Sequence, residues 1–98
     1  MSKHRHEIAR CLVISTAHLD KKTNVRMLEA DRNGMALGAA RFASYPYGYV
    51  IFYFHPADVC RLPKCLQDIR REMIARKCDW VRLDADADRN PNLPAYAW

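Results

Sequence analysis

The sequence lacks most of the features by which a short chain reveals a reaction. No apolar run approaches the ~20 residues that a membrane-spanning helix needs, and no apolar signal segment is present in the polar, basic start Met-Ser-Lys-His-Arg-His-Glu. A length of 98 residues also excludes the large nucleotide-binding and barrel enzyme folds, which take roughly 200 residues or more. We therefore expect a cytoplasmic protein without a membrane partner.

Cysteines that could build a metal site or a disulfide framework are few. The four lie at positions 11, 60, 65 and 78, and only Cys60 and Cys65 are close together. Because these two cysteines are close together, a zinc site that includes them is an alternative to free thiols. Because free cysteine behaves as a small apolar side chain, we expect buried, reduced thiols and no cofactor.

The composition of the sequence is that of one basic globular domain. Lys and Arg number 16 against 11 Asp and Glu, a formal net charge of +5, and half of the chain is apolar. No repeat, low-complexity tract or linker divides it. We predict a single domain over residues 1–98, with a flexible basic leader over 1–7 and a C-terminal tail over 87–98.

Hydrophobic periodicity predicts a strand and then a helix in the first third of the chain. Residues 8–15 have a short centre, Cys-Leu-Val-Ile, that is apolar on both faces and indicates an interior strand. A helix follows, with Asp20 or Thr23 as its cap and the Asn-Gly pair at 33–34 as its stop. Asn-Gly is also a hairpin signal, so a hairpin is the alternative for residues 24–37.

The rest of the chain predicts a hairpin, a second helix and a last strand. Residues 39–54 contain two strand-like runs around Tyr-Pro-Tyr-Gly, and residues 79–84 alternate between apolar and polar. A helix begins near Pro63. One face of this helix is an apolar stripe of Leu62, Leu66, Ile69 and Met73. The other is a basic face of Lys64, Arg70, Arg71 and Lys77.

This order of elements predicts a ferredoxin-like βαββαβ sandwich. The fold class is α+β, with a four-stranded antiparallel sheet and both helices on one face. The first and third strands are the central pair in that topology, and they are the most continuously apolar strands of this sequence.

Period-two alternation then divides the strand side chains between two faces. The face under the helices is predicted to hold Leu12, Ile14, Val50, Phe52, Phe54, Val81 and Leu83. The open face is predicted to hold Val13, Ser15, Arg41, Tyr49, Ile51, Tyr53, Trp80, Arg82 and Asp84. Exposed aromatic patches usually mark a partner, so the candidate partner-binding residues are Arg41, Tyr49, Tyr53, Trp80 and Arg82.

Three interpretations of the open face compete. Tyr, Trp and Arg dominate interface energies, which favours a protein partner, including a second copy of the chain. Aromatic rings also stack single-stranded nucleic acid, although only Gly48 and Tyr49 match the RNA-recognition signature. The third interpretation is that the tail covers this face with Leu93, Tyr96 and Trp98.

Carboxylates concentrate in one segment. Asp84, Asp86 and Asp88 are weak metal candidates, which could hold Mg²⁺ for phosphoryl chemistry. Arg89 stands where a calcium loop of this pattern needs glycine. The alternative is that these aspartates cap turns, and we assign no metal site.

Four polar side chains near the ends of the first and third strands could imitate a hydrolytic triad. They are Ser15, His18, Asp20 and His55. No Gly-flanked nucleophile accompanies them. We therefore assign no catalytic residue and expect His18 to hydrogen-bond within its local turn.

Four segments carry a family resemblance: Cys-Leu-Val-Ile-Ser-Thr-Ala-His-Leu (11–19), Tyr-Pro-Tyr-Gly-Tyr-Val-Ile-Phe (45–52), Cys-Asp-Trp-Val-Arg-Leu-Asp-Ala-Asp (78–86) and Leu-Pro-Ala-Tyr-Ala-Trp (93–98). They resemble a family of small uncharacterised bacterial proteins carried on plasmids, prophages and integrative elements. The chain departs from that family in the Asp-rich loop, where such proteins tend to have Asp-Gly, and at Ala97, where an acidic residue is common. The resemblance implies a mobile-element setting.

We therefore expect a non-enzymatic binding protein that docks on a host or element protein or nucleoprotein complex. An inhibitor of host defence, such as an anti-CRISPR protein, and an accessory conjugation factor are examples. The basic helix face would help association by electrostatic steering. Direct single-stranded nucleic-acid binding through the sheet face is one alternative, and a metal-dependent enzyme using the Asp-rich loop is another.

Overall fold

A computed structural model describes residues 6–32 and 36–98. Residues 1–5 of the predicted leader and the Asn-Gly pair at 33–34 lie outside this part of the chain. Short 3-10 helices at Thr16–His18 and Pro56–Arg61 follow β1 and β4. The regular elements, in chain order, are β1 (Cys11–Ser15), α1 (Lys21–Arg32), β2 (Ala36–Leu37), β3 (Ala40–Tyr45), β4 (Gly48–Phe54), α2 (Lys64–Ala75) and β5 (Trp80–Asp84).

Both helices begin where the sequence predicts. The Asp20 side chain accepts a hydrogen bond of 2.7 Å from the backbone N–H of Thr23, which caps the start of α1. Pro63 stands immediately before α2, and its carbonyl accepts the first amide bonds of that helix. The hairpin alternative for residues 24–37 is wrong over most of its length, since only the two residues of β2 pair with β3.

The sheet is mixed, and its strand order is β1-β5-β4-β3-β2. β1 runs parallel to β5, whereas the other neighbouring strands are antiparallel. The α+β class is confirmed, but the prediction of an antiparallel sheet is wrong. So is the placement of the first strand at the centre, because β1 lies at an edge.

The physical reason is that side chains do not report which backbone groups are paired. The Cys-Leu-Val-Ile run indicates an interior strand because all four side chains are apolar. In the structure Leu12 and Ile14 enter the core, while Cys11 and Val13 are exposed on the other face of an edge strand. Apolar character on both faces therefore did not require a neighbouring strand on both sides.

The core lies between one face of the sheet and both helices. Phe42, Ile51 and Leu83 from the sheet are fully buried. Met27 of α1 and the predicted α2 stripe of Leu66, Ile69 and Met73 cover them. The thiol of Cys65 donates to the Thr23 hydroxyl over 3.3 Å and so joins the two helices. The helices form one layer, and the opposite sheet face is free of them.

A β-bulge changes the face assignment along β4. Arg41 of β3 pairs with Tyr53, but the next residue, Phe42, pairs with Ile51, so Phe52 is an extra residue in the ladder. The extra residue inverts the alternation. Counting back from buried Phe54, period two places Val50 and Phe52 inside; instead Tyr49 and Ile51 are inside and Phe52 is exposed.

The C-terminal tail packs on the helix side of the sheet rather than over the open face. Leu93 joins the core beside α2, and the Asn90 side chain donates to Glu72 of that helix over 2.8 Å. The Tyr96 backbone N–H and the Trp98 indole N–H donate to the carbonyls of Ala17 and Leu19. The interpretation that Leu93, Tyr96 and Trp98 cover the open face is therefore wrong.

Candidate functional site

The open face is the sheet surface opposite the helices. Strand register places its members side by side: Cys11 pairs with Trp80, Val13 with Arg82, and Arg82 in turn with Val50. Paired residues of adjacent strands share a face. We use the name open face for the surface formed by Cys11, Val13, Arg41, Val50, Phe52, Tyr53, Trp80, Arg82 and Asp84.

Three aromatic rings lie together toward one end of the open face. Phe52 and Trp80 lie one residue beyond the Ile51–Val81 pair, on neighbouring strands. Their exposed fractions are 44% each, and that of Tyr53 is 45%. Nearly half of each of these residues is therefore in contact with solvent, and contiguous exposed apolar groups of this kind can mark an interaction site.

Two arginines flank the rings. Arg82 lies on β5 and Arg41 on β3, both exposed. Within residues 6–32 and 36–98, neither guanidinium makes a hydrogen bond or an ion pair. The face thus combines apolar rings with two cationic groups, of which Arg82 also contributes to lowering the pKa of the Asp84 carboxyl.

The candidate residue Tyr49 is not on this surface. Its side chain is 4% exposed and lies in the core, edge-to-face against Phe42 with 5.5 Å between ring centroids. The hydroxyl donates to the Asn24 side chain over 2.9 Å. Burial raises the pKa of Tyr49. The assignment of Tyr49 as a partner-binding residue is therefore wrong, whereas Arg41, Tyr53, Trp80 and Arg82 are all exposed on the open face.

Phe52 is a member of this surface that the sequence pattern placed on the opposite face. The run Tyr49–Phe54 contains no charged residue that could reveal which alternate positions face solvent. A clearer signal lies on the neighbouring strand, where Val81 and Leu83 alternate with Trp80 and Arg82. Pairing β4 against that pattern assigns Phe52 to the open face, but only once the register is known.

The Asp-rich segment is a capped turn in the structure. The Asp84 carboxylate accepts the Tyr45 hydroxyl over 2.8 Å and the backbone N–H of Asp86 over 2.8 Å. The Asp86 amide, followed by the Tyr45 hydroxyl, lowers the pKa of Asp84. Burial, with the Asp84 contact second, raises the pKa of Tyr45 to about 12.

Among the described residues, no three His, Cys, Asp or Glu side chains gather into a group that could hold a metal ion. That holds for the weak candidates Asp84, Asp86 and Asp88. Free thiols are found at all four cysteines, and only Cys65 is buried. The prediction of buried thiols is wrong for Cys11 and Cys60, which are exposed.

Two of the four cations of the predicted basic face of α2 share one carboxylate. Lys64 and Arg71 both bind the carboxylate of Asp68, at 3.0 and 3.3 Å. Arg70 points about 100° away from Arg71 around the helix axis, and Lys77 lies beyond the helix end, with a left-handed φ of 56°. These cations also belong to the helix layer, so they do not extend the positive charge of the open face.

The triad-like side chains are engaged in structural contacts. The Ser15 hydroxyl accepts the backbone N–H of Ala17, and Asp20 caps α1. His18 is buried and joins the turn after β1 to the tail, since its Nε2 accepts the Asn90 N–H at 2.7 Å and its Nδ1 donates to the Pro94 carbonyl at 2.8 Å. The expectation that His18 bonds within its local turn is wrong.

No helix in the described part of the chain has the length and apolar content of a membrane span.

Comparison with known proteins gives one finding. No curated protein and no solved structure matches the sequence. Residues 11–98, which include every strand and helix of the fold, match the C-terminal domain of a family of unknown function. The chain therefore belongs to the family of unknown function DUF5983.

Proposed function

We propose that this protein is a non-enzymatic binding protein that docks on a protein or nucleoprotein complex through its open face. One observation carries the proposal. Phe52, Tyr53 and Trp80 are grouped on a surface that neither the helices nor the tail covers, with Arg41 and Arg82 beside them. Aromatic residues and arginine are the side chains most enriched at interface hot spots.

The exposed ring area sets the scale of the interaction. A large aromatic side chain has about 150–250 Å² to bury, so three rings that are nearly half exposed leave roughly 250 Å² in water. Burial of that area contributes about 6 kcal/mol at ~25 cal/mol/Å². Association itself costs an estimated ~4–15 kcal/mol. The rings can therefore anchor a partner, but stable binding needs further contacts, such as those of the two arginines.

The setting proposed for this interaction is a mobile genetic element. The four sequence segments that resemble proteins of plasmids, prophages and integrative elements support it. An inhibitor of host defence, of the anti-CRISPR kind, or an accessory factor of transfer would need a compact domain with one adhesive face. The target would accordingly be a host or element complex.

Affinity capture from the native host tests the proposal. The folded chain is used as bait with and without nuclease, beside the open-face variant Tyr53→Ala/Trp80→Ala and the helix-layer control Arg70→Ala/Lys77→Ala. We expect the parent and the control to retain the same protein after nuclease and the open-face variant to lose it. Circular dichroism confirms that all three chains are folded.

Loss of the captured protein with the control, but not with the open-face variant, would contradict this role of the open face. Retention of nucleic acid alone would favour the second candidate function.

That second candidate is direct binding of single-stranded nucleic acid, which the grouping of three exposed rings with two arginines also favours. Two phosphate contacts predict a shallow salt dependence, with log K falling by about 1.4 per tenfold increase in salt. A fluorescence titration with an oligothymidine at several salt concentrations measures this slope. Binding that also fails in Trp80→Ala would support this candidate.

A further inference from the structure

We propose that the element docking on the open face is an acidic protein segment, whose carboxylates meet Arg41 and Arg82 while an apolar side chain covers the rings beside them. This inference rests on the proposed function and names the chemistry of the partner. Its basis is charge complementarity. The two guanidinium groups are exposed and have no ion pair in the described chain.

The register fixes the spacing that the partner has to match. Arg82 pairs with Val50, which pairs with Ala43, so Arg82 and Ala43 stand in one row across three strands. Arg41 lies two residues along β3 from Ala43. With strands ~4.8 Å apart and ~3.4 Å per residue, the Cα atoms of Arg41 and Arg82 are roughly 12 Å apart. Phe52 lies between them on β4.

This spacing suits a short protein segment. Two residues seven positions apart on a helix are separated by about 10.5 Å, and the positions three and four residues after the first project on the same side. A helix with glutamates at the outer positions and apolar residues at the inner ones therefore places each group opposite its complement. Flexible arginine stems accommodate the remaining difference.

A second copy of the chain fits this surface less well. Face-to-face packing would bring four guanidinium groups together, two from each copy, in a protein with net charge +5.

Nucleic acid is likewise the poorer fit. The lysine and arginine side chains of α2 belong to the helix layer and cannot reach phosphates bound to the open face, and Lys64 and Arg71 already bind Asp68. Only the two arginines of the open face remain for the phosphate backbone. An acidic segment needs just those two cations.

Three synthetic helical peptides test the inference. Each carries a leucine and a phenylalanine at the two inner positions, and the outer pair is glutamate, glutamine or lysine. Binding to the full chain is followed by ¹⁵N NMR shifts of the open-face residues. We expect the glutamate peptide to bind about fivefold more tightly than the glutamine peptide, as two exposed ion pairs allow, and the lysine peptide to bind most weakly.

Two variants separate the contributions. The variant Arg41→Gln/Arg82→Gln should bind the glutamate and glutamine peptides with about equal affinity. The variant Trp80→Ala should bind both peptides more weakly, by the same factor. Equal binding of those two peptides at the open face of the parent would overturn the acidic-partner inference and leave the proposed function standing. No shift of open-face residues with any peptide would likewise overturn the acidic-partner inference alone, whereas an oligothymidine that binds the open face more tightly than the glutamate peptide would overturn both.

Discussion

Replacing His18 by alanine should destabilise the fold by about 3 kcal/mol. The imidazole is 2% exposed and makes two bonds to the tail main chain, to residues 72 and 76 positions away in sequence. A backbone amide can only donate and a carbonyl can only accept, so Nε2 is the acceptor for Asn90 and Nδ1 carries the proton donated to Pro94.

The magnitude follows from the groups that lose their partner. The Asn90 N–H would stay buried without an acceptor, which costs about 1–3 kcal/mol. Removal of the ring from a closed site adds a cavity cost of about 1–2 kcal/mol. The Pro94 carbonyl adds little, because Pro94 is exposed and water can replace the lost donor.

Urea denaturation followed by circular dichroism measures this loss, and a melting curve should show a decrease in Tm of about 12–24 °C. His55→Ala is the matched control, since His55 also follows a strand but is exposed, and its contacts are local: it caps the Ala57 N–H at 3.3 Å and lies near Asp58 and Tyr53. Its cost should stay below about 1 kcal/mol. A His18→Ala chain within about 1 kcal/mol of the parent would refute the assignment of His18 as the anchor of the tail.

Other substitutions test the hairpin turn and the hydrogen bonds by which Glu72 of α2 holds Asn90 and Asn92 of the tail. Gly48→Ala should destabilise by at least about 3 kcal/mol, because at φ 152° a Cβ would collide with the Leu83 carbonyl oxygen; Gly38→Ala, at φ 55° with its nearest contact at 4.0 Å, should cost only about 1 kcal/mol, and comparable costs in urea denaturation would contradict this. The hydrogen bond from the Arg76 side chain, followed by those from the side-chain amides of Asn92 and Asn90, lowers the pKa of Glu72 from its ordinary value of 4.5. Its ionised form therefore stabilises the fold fully above that value and progressively less as pH falls through the lower folded pKa. The parent should lose stability in that acidic range more steeply than Glu72→Gln, and parallel curves of unfolding free energy against pH would contradict this.

Features determined by the burial of side chains could be predicted from the sequence. The α2 stripe of Leu66, Ile69 and Met73 is buried, because apolar spacing of three and four residues can bury one helix face. The hairpin around Pro46 follows from its turn residues, and β5 alternates as expected, since Val81 and Leu83 alternate with solvent-facing residues. In each case a polar or turn-forming neighbour reveals the orientation.

Features determined by the pairing of backbone groups could not be predicted from the sequence. The parallel β1–β5 pair and the edge position of β1 depend on hydrogen bonds that apolar side chains do not report. The bulge at Phe52 inserts one residue into a run without charged positions, so alternation alone assigned Tyr49 and Phe52 to the wrong faces. The sequence therefore predicted an open face with aromatic residues and two arginines, but it did not predict all of the residues on that face.

Photo-crosslinking in host lysate tests the central claim most directly. A benzophenone side chain replaces either Phe52 on the open face or Ile74 on α2, two apolar residues of similar exposure at 44% and 51%. We expect a discrete crosslinked protein from position 52 and none from position 74, and nuclease should not change this result. A crosslinked protein from position 74 alone, or none from position 52, would contradict the claim that the partner docks on the open face.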